Sequence, residues 1–240
     1  MLALVLFAPA RWLAALAQQA SAGRVQLLAP RGTLWQGSAQ LVLTGGAGSR
    51  DAMVLPGEVS WRLRPVWNGV TLQLNAECCT RQALQITLRP IGWGGARLML
   101  SDSQSQWPAS LLAGLGTPWN TVQAQGQLAA STQGFHAEWK QGQLSLTGRL
   151  QLDATQISSR LSTLQPMGSY RLMLRGGPAA TLELSTLEGS LQLTGQGRWV
   201  GQRLHFEGAA SATPESVEAL SNLLNIIGRR NGARAIIKVG

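Results

Sequence analysis

The chain has 240 residues, 45% of them hydrophobic and only 13% charged, against about 25% charged in an ordinary soluble domain. That is too apolar for disorder, two cysteines make no disulfide scaffold, and the absence of any uncharged apolar run of about 18 residues excludes a multi-span membrane protein. Twenty Lys and Arg against eleven Asp and Glu give a formal charge of +9, but the cations are scattered arginines without a basic stripe, so no nucleic-acid partner is expected.

Residues 2–16 are apolar except Arg11, with Pro9 in the middle. The stretch falls short of the roughly 20 residues of a spanning helix, and it lacks the positive n-region of a signal peptide. Arg11 and Trp12 suit the interface end of a span, where aromatic and basic side chains anchor. The expectation is a membrane-anchor segment over residues 1–22 whose start lies upstream. An ordinary buried helix is the competing reading.

From residue 33 onward the pattern alternates with period two, the signature of half-buried strands. Residues 35–43 set Trp35, Ala39, Leu41 and Leu43 against Gln36, Ser38 and Gln40. Residues 58–64 set Val59, Trp61 and Leu63 against Glu58, Ser60, Arg62 and Arg64. The same alternation runs through 70–77, 84–89, 122–128, 135–139, 144–152, 172–174, 182–184, 191–199 and 204–208. Strands with one polar face belong to antiparallel sheets wet on one side. The expected fold is all-β: about a dozen mostly antiparallel strands in a sandwich or a strongly curved sheet. Glycines at Gly126, Gly142, Gly148 and Gly189 mark strand entries or interiors, where bends and bulges form.

Two helical stretches interrupt the alternation. Residues 109–115 are one short candidate. The stronger is 214–227, with Thr213 as cap, Pro214 at the first position and Val217, Leu220, Leu224 and Ile227 on one face. Gly228 stops it, Arg229 and Arg230 sit at its negative end, and a last strand covers 235–239. Residues 23–240 are expected to form a single β-rich domain.

No constellation points to catalysis. His136 and His205 lie far apart, without the clustered partners of a zinc site. The carboxylates are dispersed, and no nucleophile elbow or phosphate loop occurs. No enzyme activity, metal, cofactor or small-molecule substrate is expected. Cys78 and Cys79 are adjacent, so they form either a mutual disulfide that stiffens the turn before Thr80 or two thiols on opposite sides of a strand. Trp35, Trp61, Trp139 and Trp199 fall in apolar phases and are expected in a core. Trp67, Trp93, Trp107 and Trp119 fall in loops.

Several segments resemble type II secretion system protein N. They are Gly32-Thr33-Leu34-Trp35-Gln36-Gly37, the stretch 55–65 around Trp61, the stretch 186–193 around Gly189, and the C-terminal run containing Asn225, Gly228, Arg229 and Arg230. The resemblance implies an accessory component of the Gram-negative machine that exports folded proteins from the periplasm. It implies an inner-membrane anchor with the β-rich domain in the periplasm, contacts with other secretion components, and no catalytic residues to carry over. The family pattern begins with a cytoplasmic tip and a full spanning helix, which this sequence enters partway. A curved β-groove that binds lipid is the alternative function.

Overall fold

The computed structural model describes residues 7–46, 48–200, 203–231 and 234–239. Sixteen strands and few helices appear among them. Helix α1 (Ala10–Ala20) leads into β1 (Val25–Gly32), β2 (Gln36–Thr44), β3 (Ala52–Val54), β4 (Val59–Val66) and β5 (Gly69–Ala76). Next come β6 (Leu84–Ile91), β7 (Gly95–Leu100) and β8 (Ser103–Pro108), then a 3₁₀ helix (Ala109–Leu115) and the single turn α2 (Trp119–Val122). The long strands β9 (Gln125–Lys140) and β10 (Gln143–Ser158) precede β11 (Gly168–Arg175), β12 (Thr181–Gly189), β13 (Leu191–Val200) and β14 (Arg203–Ala212). A 3₁₀ turn (Pro214–Ser216), α3 (Val217–Ile227), β15 (Arg229–Asn231) and β16 (Arg234–Val239) end the described chain.

All strands join one antiparallel sheet, in the order β1-β2-β4-β5-β6-β7-β9-β10-β11-β12-β13-β14-β16-β15. β3 pairs the lower part of β2, and β8 continues the line of β7 along β9. The sheet is open: its two ends are not paired to each other. It is therefore a curved single sheet and not a sandwich. The curvature follows from packing. Leu128 of β9, Tyr170 of β11, Leu191 of β13, Ala210 of β14 and Ala235 of β16 share one cluster with Leu220, Leu223 and Leu224 of α3. Flat, the six spacings from β9 to β16 would spread over roughly 29 Å, whereas a helix is only about 10–12 Å wide. The sheet must curl for its strands to share that one cluster with the helix and the connecting segments around Ala109, Ala124 and Met167.

The apolar phases all face the concave side. Leu111 of the 3₁₀ helix packs with Leu55, Val59, Ala76 and Cys79. Ala10 of α1 packs with Ala39 and Trp61. Phe135, Leu146 and Ala180 form a fourth cluster, joined by Leu174 and Trp199.

The structure fills in one expectation and changes others. The segment read as an anchor contributes an 11-residue helix that lays Ala10 and Leu13 on the sheet. No described helix is long and apolar enough to cross a membrane, and residues 1–6 lie outside the described residues. Thr213 makes no side-chain cap, and the α-helix proper begins at Val217 after a 3₁₀ turn. Arg229 and Arg230 belong to a strand, because Gly228 is extended and hands the chain to the sheet instead of closing the helix. Trp139 is 52% exposed in spite of its apolar phase, since it stands beside the β9–β10 turn, where the sheet ends.

Candidate interaction site

The N-terminal family segment builds a clasp around Trp61. β1 turns into β2 through Thr33, Leu34 and Trp35, and Gly32 takes φ +84° there. A side chain at Gly32 would both strain that conformation and meet the Gln36 carbonyl oxygen at 2.5 Å. Gly37 lies against the Trp61 indole: a Cβ would stand 2.6 Å from its ring. Trp61 is 3% exposed and donates from Nε1 to the Leu34 carbonyl oxygen at 3.2 Å. The Leu34 amide donates to the Ala8 carbonyl oxygen, and the Leu63 amide donates to the Trp35 carbonyl oxygen. Gly32, Leu34, Trp35, Gly37 and Trp61 thus converge in one knot that ties the residues before α1 to the sheet.

Beside this knot the polar face forms a groove of about 550 Å³. Arg31 and Arg62 line it together with Gln36, Ser38, Ser60 and Asn75. Arg62 and Ser60 are outward residues of β4, so the alternation that buries Trp61 also presents the arginine. Arg31 lies 3.7 Å from Glu58 in an exposed ion pair. The mixture suits a polar, carboxylate-bearing protein surface, because arginine offers a planar fork of donors. Sequence reading missed Arg31, since β1 was not recognised as a strand. The signal for Arg62 was present in its outward phase.

Two more family positions, Gly189 and Gly228, also shape the backbone. Gly189 has φ +116° and faces Gly168 across the end of β11 and β12, so close that a Cβ would overlap the opposite backbone. Gly168 in turn leaves room for the buried Tyr170 ring. Burial pushes the Tyr170 hydroxyl pKa well above its usual value. Gly228 has no space for a side chain against the Ile236 carbonyl. Asn225 is exposed on α3, Arg229 is exposed in β15, and the Arg230 backbone pairs with Ala235.

Cys78 and Cys79 are joined by a disulfide in the turn after β5. Cys79 is buried against Leu55 and Leu111, and its carbonyl accepts the Gln106 amide of β8. On the polar face Arg171 grips Asp153 with two bonds of 2.7 and 2.8 Å, and Gln151 adds a third. The Arg171 hydrogen bond holds the Asp153 carboxyl below its usual pKa. His136 and His205 lie on different strands, and among the described residues no group of three His, Cys, Asp or Glu is placed to hold a metal.

The fold and this site define an open antiparallel β-sheet protein whose glycines and Trp61 shape the backbone and whose polar face carries a groove. A family model described as type II secretion system (T2SS), protein N, matches residues 23–237. The chain belongs to that family and is a type II secretion component. Comparison with the curated proteins and with the solved structures returned no match.

Proposed function

We propose that this chain is an accessory, inner-membrane-anchored component of the type II secretion system, with residues 23–240 as one periplasmic domain that supports export of folded proteins through protein contacts and not through catalysis. The observation that carries the reading is the groove of Arg31 and Arg62 beside the Trp61 knot. Face docking fits better than strand addition. β1 is an edge broken by a bulge between Leu28 and Arg31 with Pro30 inside it, and β15 has only three residues. Both features discourage pairing with another strand. In an oxidising compartment the Cys78–Cys79 disulfide persists.

The test is export in a strain lacking the gene, complemented by the wild type or by Arg62→Glu. Exported enzymes are expected to accumulate in the periplasm without the gene, with wild type restoring release. Arg62→Glu, which alters an exposed side chain, is expected to restore it several-fold less at equal abundance and thermal stability. Normal export in the deletion strain for every substrate overturns the reading.

A second reading rests on the open concave face. Leu88 is 49% exposed, and Leu63, Val70, Leu72, Ile86 and Leu98 are only half-buried. Such a trough suits an acyl chain. Native mass spectrometry of detergent-free protein decides it: copurified lipid supports the trough, and a lipid-free mass removes it.

A further inference from the structure

The strand registers place four turns at one end of the sheet. These are the β1–β2 turn at 33–35, the β4–β5 turn at 67–68, the β6–β7 turn at 92–94 and the β9–β10 turn at 141–142. Pairing of β2 with β4, β5 with β6 and β7 with β9 keeps them on the same side. From β1 to β10 this rim covers seven strand spacings, an arc of roughly 34 Å. The opposite end carries the Cys78–Cys79 turn and the links into the 3₁₀ helices, so the two ends differ in kind.

The rim is aromatic where a water-facing turn would be polar. Trp67 and Trp93 are each 104% exposed, as far from any neighbour as a side chain can stand, and Trp139 follows at the next turn. Two fully exposed tryptophans at neighbouring turns leave a large apolar area without a partner inside the molecule. The charge beside them has one dominant sign. In segments 62–73, 86–98 and 136–147 the cations Arg62, Arg64, Arg89, Arg97 and Lys140 stand against Glu138 alone, and Glu138 is paired to Arg97 at 2.6 Å. The N-terminal residues join at the same end. Pro9 bridges Thr33, and the exposed Phe7 and Trp12 flank it.

Tryptophan with nearby cations is the pairing that partitions to the headgroup layer of an anionic bilayer. We propose that this rim rests on the surface of an anionic lipid bilayer, with Trp67 and Trp93 seated in the headgroup region and the strands standing away from it. The proposal takes the identity of the membrane from the anchoring reading above. Its own content is the orientation and the two tryptophans.

The experiment reconstitutes the full chain with vesicles of equimolar phosphatidylethanolamine and phosphatidylglycerol, with and without brominated acyl chains. Wild type is compared with Trp67→Ser/Trp93→Ser, and each is also made with Leu4→Arg/Leu6→Arg. The emission lost on removing the two tryptophans is expected to be strongly quenched by brominated lipid. With Leu4→Arg/Leu6→Arg in place, the serine pair is expected to lower vesicle binding about tenfold, a figure of the order of two interfacial anchors. If the chain floats with vesicles but the difference emission is unquenched, the rim faces water and the proposal is overturned, while anchoring stands. If Leu4→Arg/Leu6→Arg leaves binding and quenching intact, the anchoring reading fails and the rim proposal holds. A chain that does not float overturns both.

Discussion

Trp61 shows how much one residue can organise. Its ring occupies the space that a side chain at Gly37 would need, and its indole N–H is committed to the Leu34 carbonyl. Gly37→Ala puts a methyl in overlap with the Arg31 carbonyl oxygen and 2.6 Å from the ring, and overpacking of this kind costs about 1–3 kcal/mol. A urea titration is expected to show a lower midpoint with an unchanged slope. Tyr170 offers a second test, because it is the chain's one tyrosine and its ionisation is read without interference. Burial raises its folded-state pKa, so the folded state keeps the proton longer than the unfolded chain does. The stability it contributes is complete below pH about 10 and declines as pH rises from there toward the folded value. Tyrosinate absorbance is expected to appear only together with loss of the native circular dichroism. A tyrosinate signal near pH 10 in folded protein would contradict the burial.

At the scale of elements, α3 is the piece on which the C-terminal half depends. Leu220, Leu223 and Leu224 are between 0% and 1% exposed; their helix packs on β14, β15 and β16, and they share one cluster with residues of β9, β11 and β13. Leu224→Ala removes buried methylenes where the surrounding strands cannot close in, and the expected cost is about 3 kcal/mol, measurable as a fall in thermal midpoint. Helix and strand phases were legible because the apolar positions of β2, β4, β5 and α3 keep their periods of two and 3.6. Other strands were hidden for physical reasons. In β1 the alternation breaks at the bulge beside Pro30. In β8 the inward positions are Ser103, Ser105 and Trp107, with Ser105 accepting the Trp107 indole N–H, so a single apolar residue leaves no alternation to read. β9 reads as two pieces because register shifts opposite Gly134 and Gly148 interrupt one 16-residue strand. The polar groove joins Arg31 and Arg62 from strands distant in sequence, and only pairing reveals it. The family positions were legible as glycines and tryptophans, but their role in spacing the backbone was not.

Taken whole, the molecule is a ribbon of strands with a firm middle and thinner ends. β9 and β10 pair along nearly their full 16 residues and have β7, β8 and β11 as outer neighbours. β15 pairs over three residues and closes one border. Native-state hydrogen exchange is expected to be slowest in β9 and β10 and fastest in β15 and β1, since protection follows the number of bonds that must open together. Uniform protection across all strands would contradict that gradient. The strand order carries one more consequence. Apart from β3, β8 and the reversal of β15 and β16, each strand lies next to its neighbour in the chain. Loop closure is therefore short at almost every step, and little entropy is spent before a new pairing gains its bonds. A polypeptide threading through a pore or leaving a ribosome can add each hairpin to a seam that is already formed, with no distant partner to await. Only α3, which packs on β14, β15 and β16 and shares its core cluster with strands back to β9, must come late, and its arrival is the step that locks the C-terminal half.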